Sequence, residues 1–351
     1  MRIAVDAMGG DRSPEAPVEA AVSLAVSAEG SSRKIVLVGP QDRVRPLLGR
    51  AGEEALVHGR LELVSATEVI GPDEAPVAAL RRKKDSTIVV GLDLVRAGRA
   101  DAFVSAGSTG ALMAGAFRAF GRIRGVPRPA LATVFPSLAP GGREFLFLDL
   151  GANADARPEH LQAYGVMGAV YAEKVMGRTD PRVGLLNIGA EAAKGSEVAR
   201  AAHALLAETP GLNFAGNVEG RDAVAGAVDV LITDGFTGNV VVKFLEGFAE
   251  SLFSLMKEEF GRTLRGKVGA VLLLPSLRAL KSRLDYTEYG GAPFLGVNGA
   301  CIKCHGSSNA RAIAQGIRVA ERFVEGRVLE LISEQLTALP RGRGRAEAGE
   351  A

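Results

Sequence analysis

Ala102-Phe103-Val104-Ser105-Ala106-Gly107-Ser108-Thr109-Gly110 (residues 102–110) passes from a wholly apolar run into a turn of Gly, Ser and Thr. A short β-branched or aromatic run reads as a buried strand, and the segment after it as a strand-to-helix loop. The same rhythm recurs along the chain. Residues 2–5 predict a strand entering Asp6-Ala7-Met8-Gly9-Gly10-Asp11-Arg12-Ser13-Pro14, where Ser13 is placed to cap a helix and Pro14 to open it. Further strands are predicted at 34–38, 61–64, 101–104, 130–135, 145–148, 183–188, 212–215, 228–232 and 299–304, with a helix at 86–97. Near-continuous apolar strands alternating with helices specify a three-layer α/β/α sandwich with a largely parallel central sheet. One large unit over 1–338 is expected, with a helical projection at about 244–285 and a disordered Gly/Arg/Glu/Ala tail at 339–351.

Composition narrows the function. With 47% hydrophobic and 23% charged residues, the chain has too much apolar material for disorder. Its 42 Lys and Arg nearly balance 40 Asp and Glu, which argues against nucleic acid as a partner. Two cysteines cannot build a disulfide framework, and Asp6 interrupts any export-type apolar segment near Met1, so a cytoplasmic protein is expected. The longest lipid-like run, 268–274, is far short of the roughly 20 residues that span a bilayer. Gly stands at 44 residues, one in eight, against about 7% on average.

Much of that glycine falls in loops that also carry hydroxyl, amide or carboxylate groups. They are 6–11, 105–110, 150–155, 187–196, 233–239 and 305–309. In a parallel sheet the loops after strands share one edge, where ligands bind. Free N–H groups at a helix start, with the positive dipole end behind them, hold an anion such as phosphate. Other motifs fail. There is no Gly-x-Gly-x-x-Gly after a strand, and the P-loop-like spacing of 261–267 is followed by Val268 where a Ser or Thr belongs. Cys301-Ile302-Lys303-Cys304-His305 matches a haem-attachment pattern by letter but has no export signal, and no second Cys/His cluster offers zinc a closed site. No cofactor or metal is expected.

Taken together, Val5-Asp6-Ala7-Met8-Gly9-Gly10-Asp11, Ser105-Ala106-Gly107-Ser108-Thr109-Gly110-Ala111, Asp149-Leu150-Gly151-Ala152-Asn153 and Asp234-Gly235-Phe236-Thr237-Gly238-Asn239 resemble the bacterial acyl-ACP:phosphate acyltransferase (PlsX) family. Tyr289-Gly290-Gly291-Ala292-Pro293-Phe294-Leu295-Gly296 and His305-Gly306-Ser307-Ser308 extend the match to about residue 325. The resemblance implies a fold related to the isocitrate/isopropylmalate dehydrogenase and phosphotransacetylase group. It implies a homodimer without metal or nucleotide. It also implies transfer of a long-chain acyl group from acyl carrier protein to inorganic phosphate. The acyl phosphate would feed a glycerol-3-phosphate acyltransferase of phosphatidic acid synthesis, with peripheral contact to the membrane surface.

Phosphate is already an anion at neutral pH, so such a reaction needs positioning and oxyanion stabilisation rather than a strong base. The phosphate cradle is assigned to Gly107, Ser108, Thr109 and Gly110, with Lys194 either assisting or serving as a solvated helix-face charge. Asn239 and His305 are candidates to donate to the carbonyl oxygen or protonate the leaving sulfur. Asp6, Asp11, Asn153, Asp155 and Asp234 are assigned to orienting donors and bracing loops. Between Lys257 and Arg283, seven basic residues face two acids beside apolar positions, a composition suited to an anionic bilayer or an acidic carrier. The alternatives are a phosphotransacetylase using coenzyme A and a non-catalytic lipid-surface adaptor.

Overall fold

The computed structural model describes residues 1–27, 33–139, 141–284 and 291–339. The expected tail from residue 340 and the Tyr289-Gly290 pair lie outside the described residues. Strands β1 (Arg2–Asp6), β2 (Lys34–Gly39), β3 (Leu61–Ser65), β4 (Ala102–Ser105), β5 (Ala130–Phe135), β6 (Phe145–Leu148), β7 (Val183–Leu186), β8 (Phe214–Val218), β9 (Val230–Ile232), β10 (Ala292–Leu295) and β11 (Ala300–Lys303) join one sheet. Their order is β3-β2-β1-β4-β11-β10-β5-β6-β9-β7-β8. The helices are α1 (Glu15–Val26), α2 (Gln41–Val44), α3 (Gly49–Val57), α4 (Pro76–Arg82), α5 (Thr87–Arg96), α6 (Thr109–Phe120), α7 (Pro158–Lys174), α8 (Glu197–Ala207), α9 (Gly220–Val224), α10 (Gly235–Gly261), α11 (Leu264–Leu284), α12 (Ala310–Glu325) and α13 (Val328–Ala338).

The two-residue period of a strand divides the core into layers. Ile3 and Val5, Ile35 and Leu37, Ala102 and Val104, Leu146 and Leu148, and Val230 and Ile232 all face one continuous cluster with α1, α7, α12 and α13. The intervening residues face the other way. Ala4, Val36, Val38, Phe103 and Cys301 pack with α4, α5 and α6. Phe145, Phe147 and Leu231 pack with α9 and Val242 of α10. One helix layer is therefore unbroken and the other is split in two. Leu131 of β5 is half-buried and touches both halves, so β5 underlies the split.

Strand polarity also changes there. β3, β2, β1, β4 and β11 run parallel to one another. β10 is antiparallel to both β11 and β5, and β6 is antiparallel to β5. β6, β9, β7 and β8 then run parallel among themselves, opposite to β1 and β4. The single shared loop edge expected from the sequence is corrected accordingly: loops after β1, β4 and β11 leave one edge, and those after β6, β7 and β9 leave the other.

Other local expectations change for identifiable reasons. Ser13 does not cap α1, because its Oγ donates to the Met8 and Gly10 carbonyls, and Pro14 takes the cap position. The helix expected to start near Phe244 starts at Gly235, where the Asp234 carboxylate accepts from the Thr237 N–H (2.8 Å). The strand expected at 212–215 forms two residues later. Residues 266–284, read as an interrupted segment, are helical and carry Pro275 inside α11. No described helix is long and apolar enough to cross a membrane.

α5 lies directly on β4, and a Cβ at Gly91 would overlap the buried Phe103 ring. Gly91→Ala should therefore destabilise the protein by about 1–3 kcal/mol in urea denaturation; an unchanged midpoint and slope would contradict this packing.

Candidate active site

The split helix layer leaves a cavity of about 800 Å³. Leu131 and Thr133 of β5 lie in it, since Ala130, Ala132 and Val134 point to the opposite core. Residues from the loops after β1, β4 and β11 form one side. Leu150, Gly151 and Ala152 after β6, and Asn239, Val242, Lys243 and Glu246 of α10, form the other. The polarity reversal thus brings loops from both sheet edges to one space.

The first side is knitted by short hydrogen bonds. Asp6 is buried, and its carboxylate accepts from Ser105 Oγ (2.7 Å) and the Met8 N–H (3.0 Å). Ser105 Oγ in turn accepts from the Gly107 N–H (3.0 Å), which fixes the turn before α6. Burial pushes the Asp6 carboxyl above the usual carboxylate range, with the Ser105 hydroxyl the largest opposing effect. Gly10, at φ +93°, lets this turn approach the β11 loop: a Cβ there would stand 2.8 Å from the Gly306 carbonyl oxygen. The Asp11 N–H donates to that same oxygen (2.8 Å).

Gly107, Ser108, Thr109 and Gly110 line the cavity at the start of α6. Ser108 Oγ accepts from the Ala111 N–H at 3.4 Å, and the amides of Ser108, Thr109 and Gly110 open the helix without an intrahelical acceptor. His305 also lines the cavity; its Nδ1 lies 2.8 Å from Ser307 Oγ and accepts from the Ser307 N–H (3.3 Å). An accepting Nδ1 leaves the proton of a neutral ring on Nε2. Desolvation first, and then the charge of Lys303, hold the His305 pKa below its ordinary value.

On the second side, Asp149 is fully buried and accepts from the Leu131, Ala152 and Asn153 N–H groups at 2.8–3.0 Å. Asn153 Nδ2 donates to the Pro129 carbonyl (2.6 Å) and the Tyr164 hydroxyl (2.9 Å), so it braces the loop. Asp234 accepts from both the N–H and hydroxyl of Thr237 (2.8 Å each), which sets the start of α10. Gly238 allows this start to press against the β6 loop, because a Cβ there would land on the Asp149 carbonyl oxygen. Asn239 follows it and is exposed to the cavity.

The residues singled out in the sequence therefore divide. Asp6, Asp11, Gly107, Ser108, Thr109, Gly110, Asn239 and His305 meet in the cavity, and Asn153 and Asp234 brace its wall. Lys194 and Asp155 do not line it. Both are exposed, and Lys194 follows β7, two strands beyond β6 in the sheet order. Glycine and serine around Lys194 signal a tight turn before α8, capped by Ser196, and not entry to this cavity. Sequence reasoning passed over Asp149, Thr133, Lys243, Glu246 and Lys303. The available signal for Lys303 was a lysine closing an apolar strand just before a Gly-Ser loop. No group of metal-ligating side chains occurs among the described residues.

Residues 1–331 match a family described as "Fatty acid synthesis protein". The curated phosphate acyltransferase of Heliobacterium modesticaldum is 50% identical over 336 residues, covering 96% of this chain and 98% of the relative. That of Pelotomaculum thermopropionicum is 51% identical over 339 residues, with 97% and 96% covered. Among solved structures, a phosphotransacetylase from Streptococcus pyogenes has a TM-score of 0.53 at 17% identity, covering 96% of this chain and 94% of that one. A branched-chain phosphotransacylase from Enterococcus faecalis has a TM-score of 0.53 at 14% identity, with 92% and 99% covered. These structures share the fold.

Gly238→Ala should separate α10 from the Asp149 loop and lower stability by about 1–3 kcal/mol in chemical denaturation. A variant as stable as the parent would show that this close approach does not hold Asn239 in place.

Proposed function

The chain belongs to the PlsX family of phosphate acyltransferases, and we propose that it transfers a long-chain acyl group from acyl carrier protein to inorganic phosphate. The observation that carries this reading is one cavity joining three kinds of surface. At the start of α6, the amides of Ser108, Thr109 and Gly110 and the helix dipole suit a phosphate, beside Gly107 whose own N–H is held by Ser105. Asn239 and His305 supply side-chain donors that do not depend on a net charge. Ile70, Ile88, Met113, Leu131, Leu150 and Val242 supply apolar wall for a fatty chain.

In the proposed reaction a phosphate oxygen attacks the thioester carbonyl carbon, and a C–O bond forms as the carbonyl becomes an oxyanion. Donors fixed before reaction stabilise that charge without reorganising, an effect worth about 10²–10³ in rate for one donor. Asn239 Nδ2 is assigned to the oxyanion. Collapse breaks the C–S bond and the sulfur leaves as a thiolate, to which the Nε2–H of His305 is assigned as a hydrogen-bond donor, its low pKa keeping the ring neutral. The proton of the free thiol comes from the phosphate hydroxyl, which becomes more acidic once it is acylated. The acyl phosphate would serve phosphatidic acid synthesis through a glycerol-3-phosphate acyltransferase.

The exposed residues of α10 and α11 support the proposed partners. Phe236, Val240, Phe244, Phe248, Leu252 and Leu255 recur at helical spacing along α10 and are exposed. This stripe is assigned to the second copy of a homodimer. In α11, Val268, Val271, Leu272 and Leu273 are exposed beside Arg265 and Lys267, and residues 266–280 are assigned to an anionic membrane surface. A cytoplasmic protein held at the membrane periphery follows from this assignment.

Thiol release should depend on phosphate with palmitoyl carrier protein as donor and be far slower with acetyl-CoA. Faster release from acetyl-CoA would favour a phosphotransacetylase, and no release from either would favour a lipid-surface adaptor. The full chain should also co-sediment with liposomes containing acidic lipid. Pelleting equal to that with neutral liposomes would remove the membrane assignment.

A further inference from the structure

We infer that the ammonium of Lys303 is the cation that holds inorganic phosphate at the start of α6, an inference that rests on the acyl-transfer reading above. Lys303 closes β11, where it pairs in register with Ser105 of β4. Alternation fixes its side. Ala300 and Ile302 enter the continuous core, whereas Cys301 faces the split layer, and Lys303 shares that face. The side chain is only 8% exposed, yet it lines the cavity.

Its nitrogen donates to the Ala106 carbonyl (3.3 Å) and to the Cys304 carbonyl. Ala106 immediately precedes Gly107, and Lys303 lines the same cavity as residues 107–110. An ammonium has three N–H donors, and two carbonyls occupy two of them. The third is available to an anion. Two fixed acceptors also hold the nitrogen without spending a carboxylate on it, so its charge is not cancelled by a direct ion pair.

The charges of the cavity favour the same residue. Among its described lining residues the lysines are Lys243 and Lys303, and arginine is absent. Lys243 is paired with Glu246 at 2.7 Å on α10. Asp6 and Asp11 would repel a phosphate dianion unless a cation stands with them. Cys304, just past the strand, then Asp6 and Asp11, and Cys301 of β11 raise the pKa of Lys303, while His305 lies on the loop that follows. Burial is the larger effect and lowers it below the ordinary lysine value. A buried amine is costly to charge, and a bound dianion offsets that cost where a merely structural lysine would gain nothing.

The test is isothermal titration of the full-length protein with inorganic phosphate alone, beside thiol release from palmitoyl carrier protein. Lys303→Met, of similar length and without charge, should weaken phosphate binding at least tenfold while thermal unfolding remains cooperative. Lys303→Arg should recover part of that loss. Wild-type phosphate affinity should also fall with rising pH at values below about 10.4, where an ordinary lysine titrates. A folded Lys303→Met variant that binds phosphate as the parent does would overturn the inference whatever its turnover. If that variant fails to fold, a wild-type crystal soaked in inorganic phosphate whose anion lies beyond hydrogen-bonding distance of the Lys303 nitrogen would overturn it instead. Wild-type protein that binds phosphate through Lys303 yet releases no thiol would uphold this inference and sink the acyl-transfer reading.

Discussion

A sheet that reverses polarity across three adjacent strands cannot be covered evenly by right-handed crossovers, and that constraint organises this molecule. β10 and β6 each run against β5, so the helices following the first group of strands and those following the second leave the sheet at opposite edges. On one face, α7, α12 and α13 still close a continuous core. On the other, the α4–α6 cluster and the α9–α10 cluster stop short of each other, and Leu131 and Thr133 of β5 lie in the gap. The cavity is the part of the sheet that neither group of helices covers.

Its chemistry follows from what borders the gap. One wall holds the start of a helix with its amides and dipole, beside a buried lysine and a buried carboxylate. The other holds the start of a second helix, pressed against the β6 loop so that Asn239 reaches the same space. An anion and a neutral polarised carbonyl can therefore be held against each other by groups from two separate walls. Such preorganisation is effective because the walls are fixed by hydrogen bonds among themselves. Asp6, Ser105 and Gly107 form one such chain, and Asp149, Asn153 and Tyr164 form another.

The layers were legible in the sequence because strand alternation and helix periodicity are local properties. Residues 130–135 and 145–148 form strands with the bounds that their composition implies. The polarity of the sheet was not legible. β10 is four residues long, contains Pro293 and follows a pair of glycines, so it reads as a turn; tertiary pairing on both sides makes it a strand. Without β10 the expected sheet stays parallel, and all Gly-rich loops fall on one edge. That assumption places Lys194 beside the other loops, whereas it follows β7 and lies outside the lining of the cavity. Lys303 was passed over because it sits inside a Cys-x-x-Cys-His spelling that drew attention to its neighbours, both of which are buried core residues. The start of α10 was also hidden: Asp234 caps it, but glycines at 235 and 238 make the first turn look like loop.

The account depends most on where phosphate sits. A crystal structure of the protein with inorganic phosphate measures this directly. The anion is expected against the Ser108–Gly110 amides, with one oxygen at hydrogen-bonding distance, about 2.7–3.2 Å, from the Lys303 nitrogen. Phosphate bound instead on the Lys194 loop, with the β5 cavity holding none, would contradict the account.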